Sequence, residues 1–272
     1  MSSSFMRRMR ARKNREPQKR RVVYLIPNLL TTGNLFSGLA SILFTLDGNF
    51  PAAATAILVA IVFDILDGTS ARLMHSTSQF GLQYDSLGDL VSFGVAPGLM
   101  LYVWALQTPR MLGAAVMFAF VACGALRLAR YNVSATTNEG KPFTGLPIPG
   151  AAGVIATLVI ADHYVLALGS HVRPIIGIVL SLLLSFLMVS TVKYRSIKEL
   201  KFKESHHFNY LVYAILGLMA ILAYPQLMLF VVFMAYALSG IVELGVHIVA
   251  KGFKGTAETE LAPASEPGTG KE

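Results

Sequence analysis

Four aspartates at two regular intervals, Asp64 and Asp67, then Asp85 and Asp89, are the residues in this chain best suited to chemistry. They fall within 26 residues, in company with Gly68, Ala71, Arg72 and Gly81, and apolar runs flank them on both sides. A carboxylate beside hydrocarbon is expensive, so acids placed there mark a site. On a helix, Asp64 and Asp67 are i, i+3 and lie about 60° apart in projection. Gly68, Ala71 and Arg72 follow at i+4, i+7 and i+8 from Asp64 and share its face. Asp85 and Asp89 are i, i+4 on the next helix. A fold-back between Arg72 and Gly81 sets the two acidic pairs against each other. Left alone, such a cluster repels itself, and a divalent cation is the simple remedy. Oxygen donors suit a hard ion, Mg²⁺, Mn²⁺ or Ca²⁺, rather than zinc. Mg²⁺ binds through a few carboxylates plus the phosphates of a substrate. Gly68 and Ala71 remove bulk where a ligand would approach the helix. The constellation therefore predicts a phosphate or pyrophosphate substrate at a membrane surface.

The elements that must hold these residues are membrane helices. The chain has 272 residues, of which 54% are hydrophobic and only 14% charged, against about 25% charged in a soluble domain. Eight apolar segments approach spanning length: 25–46, 52–73, 84–106, 112–131, 146–167, 174–192, 208–224 and 226–249. The seventh is short, and Tyr224-Pro225 leaves it a tight hairpin to the eighth. The expected fold is an all-α polytopic helix bundle of about eight spans with both termini cytoplasmic. In that topology all but two of the 23 Lys and Arg face inward, the exceptions being Arg110 and Arg173, as the positive-inside rule requires. The same orientation puts Asp64 to Asp89 on the cytoplasmic side. Cys123 is the single cysteine, which excludes an internal disulfide framework and a thiolate metal site; it reads as a small buried residue. Residues 1–21 form a basic arm, read as charge attracted to anionic lipid rather than to nucleic acid. Residues 22–250 form the membrane domain, and residues 251–272, rich in Ala, Thr, Glu, Pro and Gly, are expected to be a disordered cytoplasmic tail. The first run is too long for a signal peptide.

The pattern D-x2-D-G-x2-A-R-x8-G-x3-D-x3-D is met in full by Asp64, Asp67, Gly68, Ala71, Arg72, Gly81, Asp85 and Asp89. In this the chain resembles the CDP-alcohol phosphotransferases, integral membrane enzymes of phospholipid synthesis built on a six-helix core. The wider likeness runs from about residue 26 to 152. Three further stretches resemble the phosphatidylserine-synthase branch: the run from Asp85 to Pro97, the Arg127-Leu-Ala-Arg130-Tyr131-Asn132 stretch, and Gly145-Leu-Pro-Ile-Pro149. The resemblance implies transfer of a phosphatidyl group from CDP-diacylglycerol to L-serine, releasing CMP. It implies Asp64, Asp67 and Asp85 as ligands of Mg²⁺ or Mn²⁺ (Ca²⁺ as an alternative), and Asp89 as general base or as ligand of a second ion. It also implies a homodimer in a bacterial inner membrane. The lipid nucleotide would meet Asn28, Thr31, Asp64, Asp67, Gly68, Ala71, Arg72 and Gly81.

Ile26-Pro27-Asn28-Leu-Leu-Thr31-Thr32-Gly33-Asn34 opens the first span, and its polar residues suit either helix–helix hydrogen bonding or the lining of a nucleotide pocket. Gly94 and Pro97 predict a kink in the third span. Arg127 and Arg130 are i, i+3 at a cytoplasmic helix end. They are either anchors on the helix C-terminus or a site for a serine carboxylate or a phosphate. Residues 143–149 read as a rigid re-entry turn, and Asp162-His163 as an interfacial pair on the outer side. Glu243 and His247 are a local i, i+4 pair, and 193–203 a basic loop. No histidine is followed two positions later by lysine, so the paired H-x-K chemistry of the other kind of phosphatidylserine synthase is absent. The rival acceptors are choline, inositol phosphate and glycerol phosphate. From another class, a transporter or a structural membrane protein would also bury carboxylates, but a transporter calls for repeats and broken helices near the midplane.

Overall fold

The computed structural model describes residues 26–74, 78–136, 145–192, 219 and 223–241. The basic arm, the tail, the 193–203 loop, Glu243 and His247 lie outside the described residues. Among the described residues, six helices are long and apolar enough to cross a bilayer. They are α1 (Ile26–Leu46), α2 (Phe50–Leu73), the continuous span of α3 (Gln79–Asp89) and α4 (Ala96–Ala105), α5 (Arg110–Thr136), α6 (Ile148–Ala161) and α7 (Val172–Val189). The sequence predicts about eight spans. The seventh falls almost wholly outside the described residues, and the described part of the eighth is the shorter apolar helix α8 (Pro225–Ile241).

Local chemistry sets the ends of these helices. Gly48 adopts φ +74° in the α1–α2 turn, a conformation open to glycine. Asn49 then caps α2 by accepting from the Ala52 amide at 3.2 Å, and Pro51 sits in the first turn, where its missing N–H costs nothing. Ser78 caps α3 through the Gly81 amide at 2.9 Å. The kink expected at Gly94 and Pro97 takes the form of a π-helical turn, Leu90–Val95. Proline lacks an amide and clashes with the carbonyl four residues back, here Phe93. The ladder widens just before it, and the Ala96 amide bonds the Val91 carbonyl, five residues back.

The core is organised on α6. Apart from Pro149, every residue from Ile148 to Ala161 is buried, as expected of a helix that is apolar all round. Its small residues admit close neighbours. A methyl added at Gly153 would lie 2.1 Å from the Phe233 ring of α8, and one at Gly124 of α5 would lie 2.6 Å from Ile148. Helix α2 lies against α6 with Ala53, Ala54, Ile57 and Ala60 buried between them, and α5 lies against α7. Gly145 (φ +87°) turns the chain into α6, its amide bonding the Val192 carbonyl at 2.7 Å, which supports the rigid re-entry at its described end. On the outside, Phe36, Phe118 and Phe186 are largely exposed. In water such a surface would be an association patch; on a spanning helix it faces lipid.

Asp162 turns its side chain into the protein rather than to solvent. It is 2% exposed and begins a second π-helical turn, Asp162–Leu166. One oxygen accepts from the Leu168 amide at 2.6 Å, the other meets the Arg173 guanidinium at 2.9 Å, and that guanidinium stacks on Trp104. Burial is affordable because both oxygens are paired. Cys123 is only partly buried.

Candidate active site

The acidic groups meet where the C-terminal half of α2 passes α3. Helix α2 brings Asp64 and Asp67 towards its end, the turn after Leu73 reverses the chain, and α3 returns with Asp85 and Asp89. One carboxylate oxygen each from Asp64, Asp85 and Asp89 lies within 4.8 Å of the others. Asp67 stands beside this trio, close enough to interact electrostatically with Asp64 and Asp85. Its carboxylate accepts from the Thr31 hydroxyl, which also reaches the Pro27 carbonyl at 3.2 Å. Asp67 and Asp89 are almost fully buried, whereas Asp64 and Asp85 are half-buried.

Helix α1 closes the site along α3, and the contacts advance in step on both helices. A methyl added at Gly81 would lie 3.8 Å from the Asn28 side-chain oxygen, and one at Gly88 would lie 3.6 Å from the Thr31 methyl. The Asn34 amide donates to Asp89 at 2.9 Å. Thr32 and Tyr84 share a hydrogen bond of 3.0 Å. Gly68 is exposed, and a methyl there would meet nothing within 4 Å, so the α2 face beside Asp67 is open to a ligand. Ala71 is half-buried one turn further on. Arg72 turns back on its own helix, its Nε donating to the Gly68 carbonyl at 2.9 Å.

The two arginines of α5 part company. Arg127 is 8% exposed and lies within electrostatic range of Asp64, Asp89, Tyr131 and Tyr236. Arg130 is exposed on the helix surface, and its guanidinium donates to the Val189 carbonyl at 3.1 Å, at the C-terminal end of α7, where a cation is favoured. Two further residues, given no role by the sequence, join the site. Asn132 bonds Ser86 at 3.0 Å and Gln83 at 3.4 Å, tying α5 to α3 beside Asp85; its place in the Arg127–Asn132 stretch was the available signal. Tyr236 of α8 approaches Arg127, and a lone tyrosine in an apolar run carries no signal at all.

The donor set fits a hard divalent cation. All its donors are oxygens, the three carboxylates converge, and octahedral Mg²⁺ ligands about 2.1 Å from the ion lie about 3–4 Å apart. Four aspartates share this pocket with one buried arginine, and an unbalanced charge of that size in a low-dielectric interior calls for a cation.

Residues 24–188 match the CDP-alcohol phosphatidyltransferase family. The chain belongs to that family. Among curated relatives, a CDP-diacylglycerol–serine O-phosphatidyltransferase of Helicobacter pylori (strain J99) is 39% identical over 180 residues, 66% of this chain and 75% of the relative. The Bacillus subtilis protein of the same name is 33% identical over 174 residues, 64% of this chain and 92% of the relative. The archaetidylserine synthase of Methanothermobacter thermautotrophicus is 39% identical over 171 residues, 62% of this chain and 69% of the relative. Membership covers α1 to α7 almost completely, so all four aspartates, Asn34 and Arg127 lie inside the matched region.

Proposed function

We propose that this family member transfers the phosphatidyl group of CDP-diacylglycerol to L-serine, forming phosphatidylserine and releasing CMP. The observation that carries the reading is the convergence of the Asp64, Asp85 and Asp89 oxygens within 4.8 Å, in a chain whose relatives act on CDP-diacylglycerol and serine by name. We assign Asp64 and Asp85 of the converging trio, with Asp67 beside them, to a divalent cation, Mg²⁺ or Mn²⁺ before Ca²⁺, and the third member of the trio, Asp89, to the proton. When bound, that ion would withdraw charge from the pyrophosphate and ease departure of CMP.

The chain's own residues do the rest. Asp89 takes the proton of the serine hydroxyl as its oxygen bonds to the phosphorus that carries the diacylglycerol. The bond from that phosphorus to the CMP oxygen breaks in line, and CMP leaves with the electron pair. No covalent lipid–enzyme intermediate is needed. The open α2 face at Gly68 receives the nucleotide together with Ala71, Arg72, Gly81 and Asn28, and buried Thr31 acts on it through Asp67. Arg127, buried beside Asp64 and Asp89, is placed for the serine carboxylate or a phosphate oxygen, as a guanidinium fork suits either. The site faces the cytoplasm on this reading, because Arg72, Arg127 and Arg130 lie at its end of the helices and Arg110 and Arg173 at the other. Anionic lipid around the basic arm and a homodimer complete the proposal.

The test is CMP release from CDP-diacylglycerol by purified protein with Mg²⁺ or Mn²⁺, comparing L-serine with choline, inositol phosphate and glycerol phosphate. Release that needs both serine and metal is the expected result. Release with another acceptor keeps the family and sinks the serine assignment. In the same assay Arg127→Lys is expected to raise the KM for serine about tenfold, since an ammonium replaces a fork with a single point charge. Arg130→Ala should leave that KM within about twofold, because an exposed partner of a helix end contributes little. Equal KM effects from the two arginines would reject the assignment of Arg127.

A further inference from the structure

We infer that Asn34 is the positioning residue for Asp89, and that α1 is docked on α3 to deliver it. The inference rests on Asp89 acting as the base, as proposed above.

Asn34 is held from two directions. Its amide nitrogen donates to Asp89 Oδ1 at 2.9 Å, and its main-chain carbonyl accepts from the Ser92 hydroxyl at 3.0 Å. Asp89 and Ser92 are i, i+3 on one helix, so one residue of α1 bridges adjacent turns of the span that carries the base. The π-helical turn starts at Leu90, between the two partners. One turn further along α1, Gly38 makes this approach feasible. A methyl there would lie 2.3 Å from the Ser92 oxygen and 2.7 Å from its Cα, so any larger residue pushes the helices apart and takes Asn34 with them.

The state of the amide argues against simple packing. Asn34 and Ser92 are fully buried and Asp89 is 7% exposed. The NH₂ group of Asn34 faces the carboxylate. That leaves Asn34 Oδ1 buried with no hydrogen-bond partner among the described residues, which is unfavourable for an acceptor taken out of water. Leucine has nearly the same size and would avoid that cost. What leucine cannot do is fix which oxygen of Asp89 is engaged. With Oδ1 tied to Asn34, Oδ2 is the oxygen offered to the acceptor hydroxyl, and the carboxylate is kept from rotating. Small errors in such a placement reduce rate steeply.

The experiment compares Asn34→Leu, Ser92→Ala and Asp89→Asn with wild type in detergent. It reads kcat and both KM values for serine-dependent CMP release, Mn²⁺ affinity by electron paramagnetic resonance, and Tm. For Asn34→Leu we expect kcat to fall about 30- to 100-fold, with both KM values and Mn²⁺ affinity within about threefold of wild type and a comparable Tm. Ser92→Ala leaves Asp89 and the Asn34 amide untouched and loosens only the bridge, so a smaller fall in kcat, about 3- to 10-fold, is expected with the same unchanged KM values. An unchanged kcat in folded Asn34→Leu overturns the inference. A raised serine KM makes Asn34 a substrate contact instead, and a loss of Mn²⁺ affinity makes it a support of the metal site; either result also overturns it. If Asn34→Leu does not fold, Ser92→Ala decides by the same criteria. Retained activity in Asp89→Asn would remove the base itself, a failure of the proposed mechanism that is read separately from the Asn34 result.

Discussion

Asp89→Asn is expected to lower kcat for serine-dependent CMP release by about 10³-fold, within the range that general bases contribute. The substitution keeps size and shape, and the Asn34 amide still finds an acceptor at the same place, so the α1–α3 contact survives. What disappears is the group that takes the proton. If Asp89 serves only as base, the metal concentration for half-maximal activity stays where wild type has it while kcat collapses. Asp64→Asn provides the contrast, because Asp64 is assigned to the cation and its loss should raise that concentration at least about tenfold. A metal requirement that rises equally in both variants would move Asp89 from the base to the ion. A kcat within about threefold of wild type in folded Asp89→Asn would remove it from the chemistry altogether.

Arg173→Met is expected to have the largest effect on stability, at the other end of the bundle. Asp162 is almost wholly buried and divides its oxygens between the Leu168 amide and Arg173. Removing the guanidinium strands a carboxylate in an apolar interior, at a cost of about 3 kcal/mol, and also loses the stack on Trp104. Denaturation in detergent should show a lower midpoint, while kcat per folded molecule stays at the wild-type value because the carboxylate cluster is not touched. The pair of substitutions Asp162→Asn and Arg173→Met should recover most of the loss. The amide keeps an acceptor for Leu168 and carries no charge to strand, so the two changes are far from additive. A midpoint for Arg173→Met equal to wild type would show that the pair contributes nothing. Additive losses in the double variant would show that the charge was not the cause.

The sequence by itself determined the class of molecule and picked out the residues proposed for its chemistry. Hydropathy and low charge require membrane helices, and the spacing of Asp64, Asp67, Asp85 and Asp89 obliges two consecutive helices to present their acids to each other once the chain reverses after Arg72. Those are local rules of helix geometry, and the spanning helices and the three-carboxylate cluster of the described residues follow them, although six of the eight expected spans are found there. Tertiary structure decided what depends on neighbours distant in the chain. Arg127 and Arg130 are equivalent by spacing, yet the packing of α5 turns one towards Asp64 and Asp89 and the other to the end of α7. Asp162 reads in sequence as an interfacial acid with no named partner, and only the packing sets Arg173 beside it. Asp67 is paired by sequence with Asp64, but Thr31 of α1 holds it beside the trio. Asn34 belongs in sequence to a polar opening and in space to Asp89, because the absent side chain of Gly38 lets α1 and α3 touch at Ser92. Periodicity reports the face on which a residue lies; the partner it meets there is set by the packing of helices that local sequence does not encode.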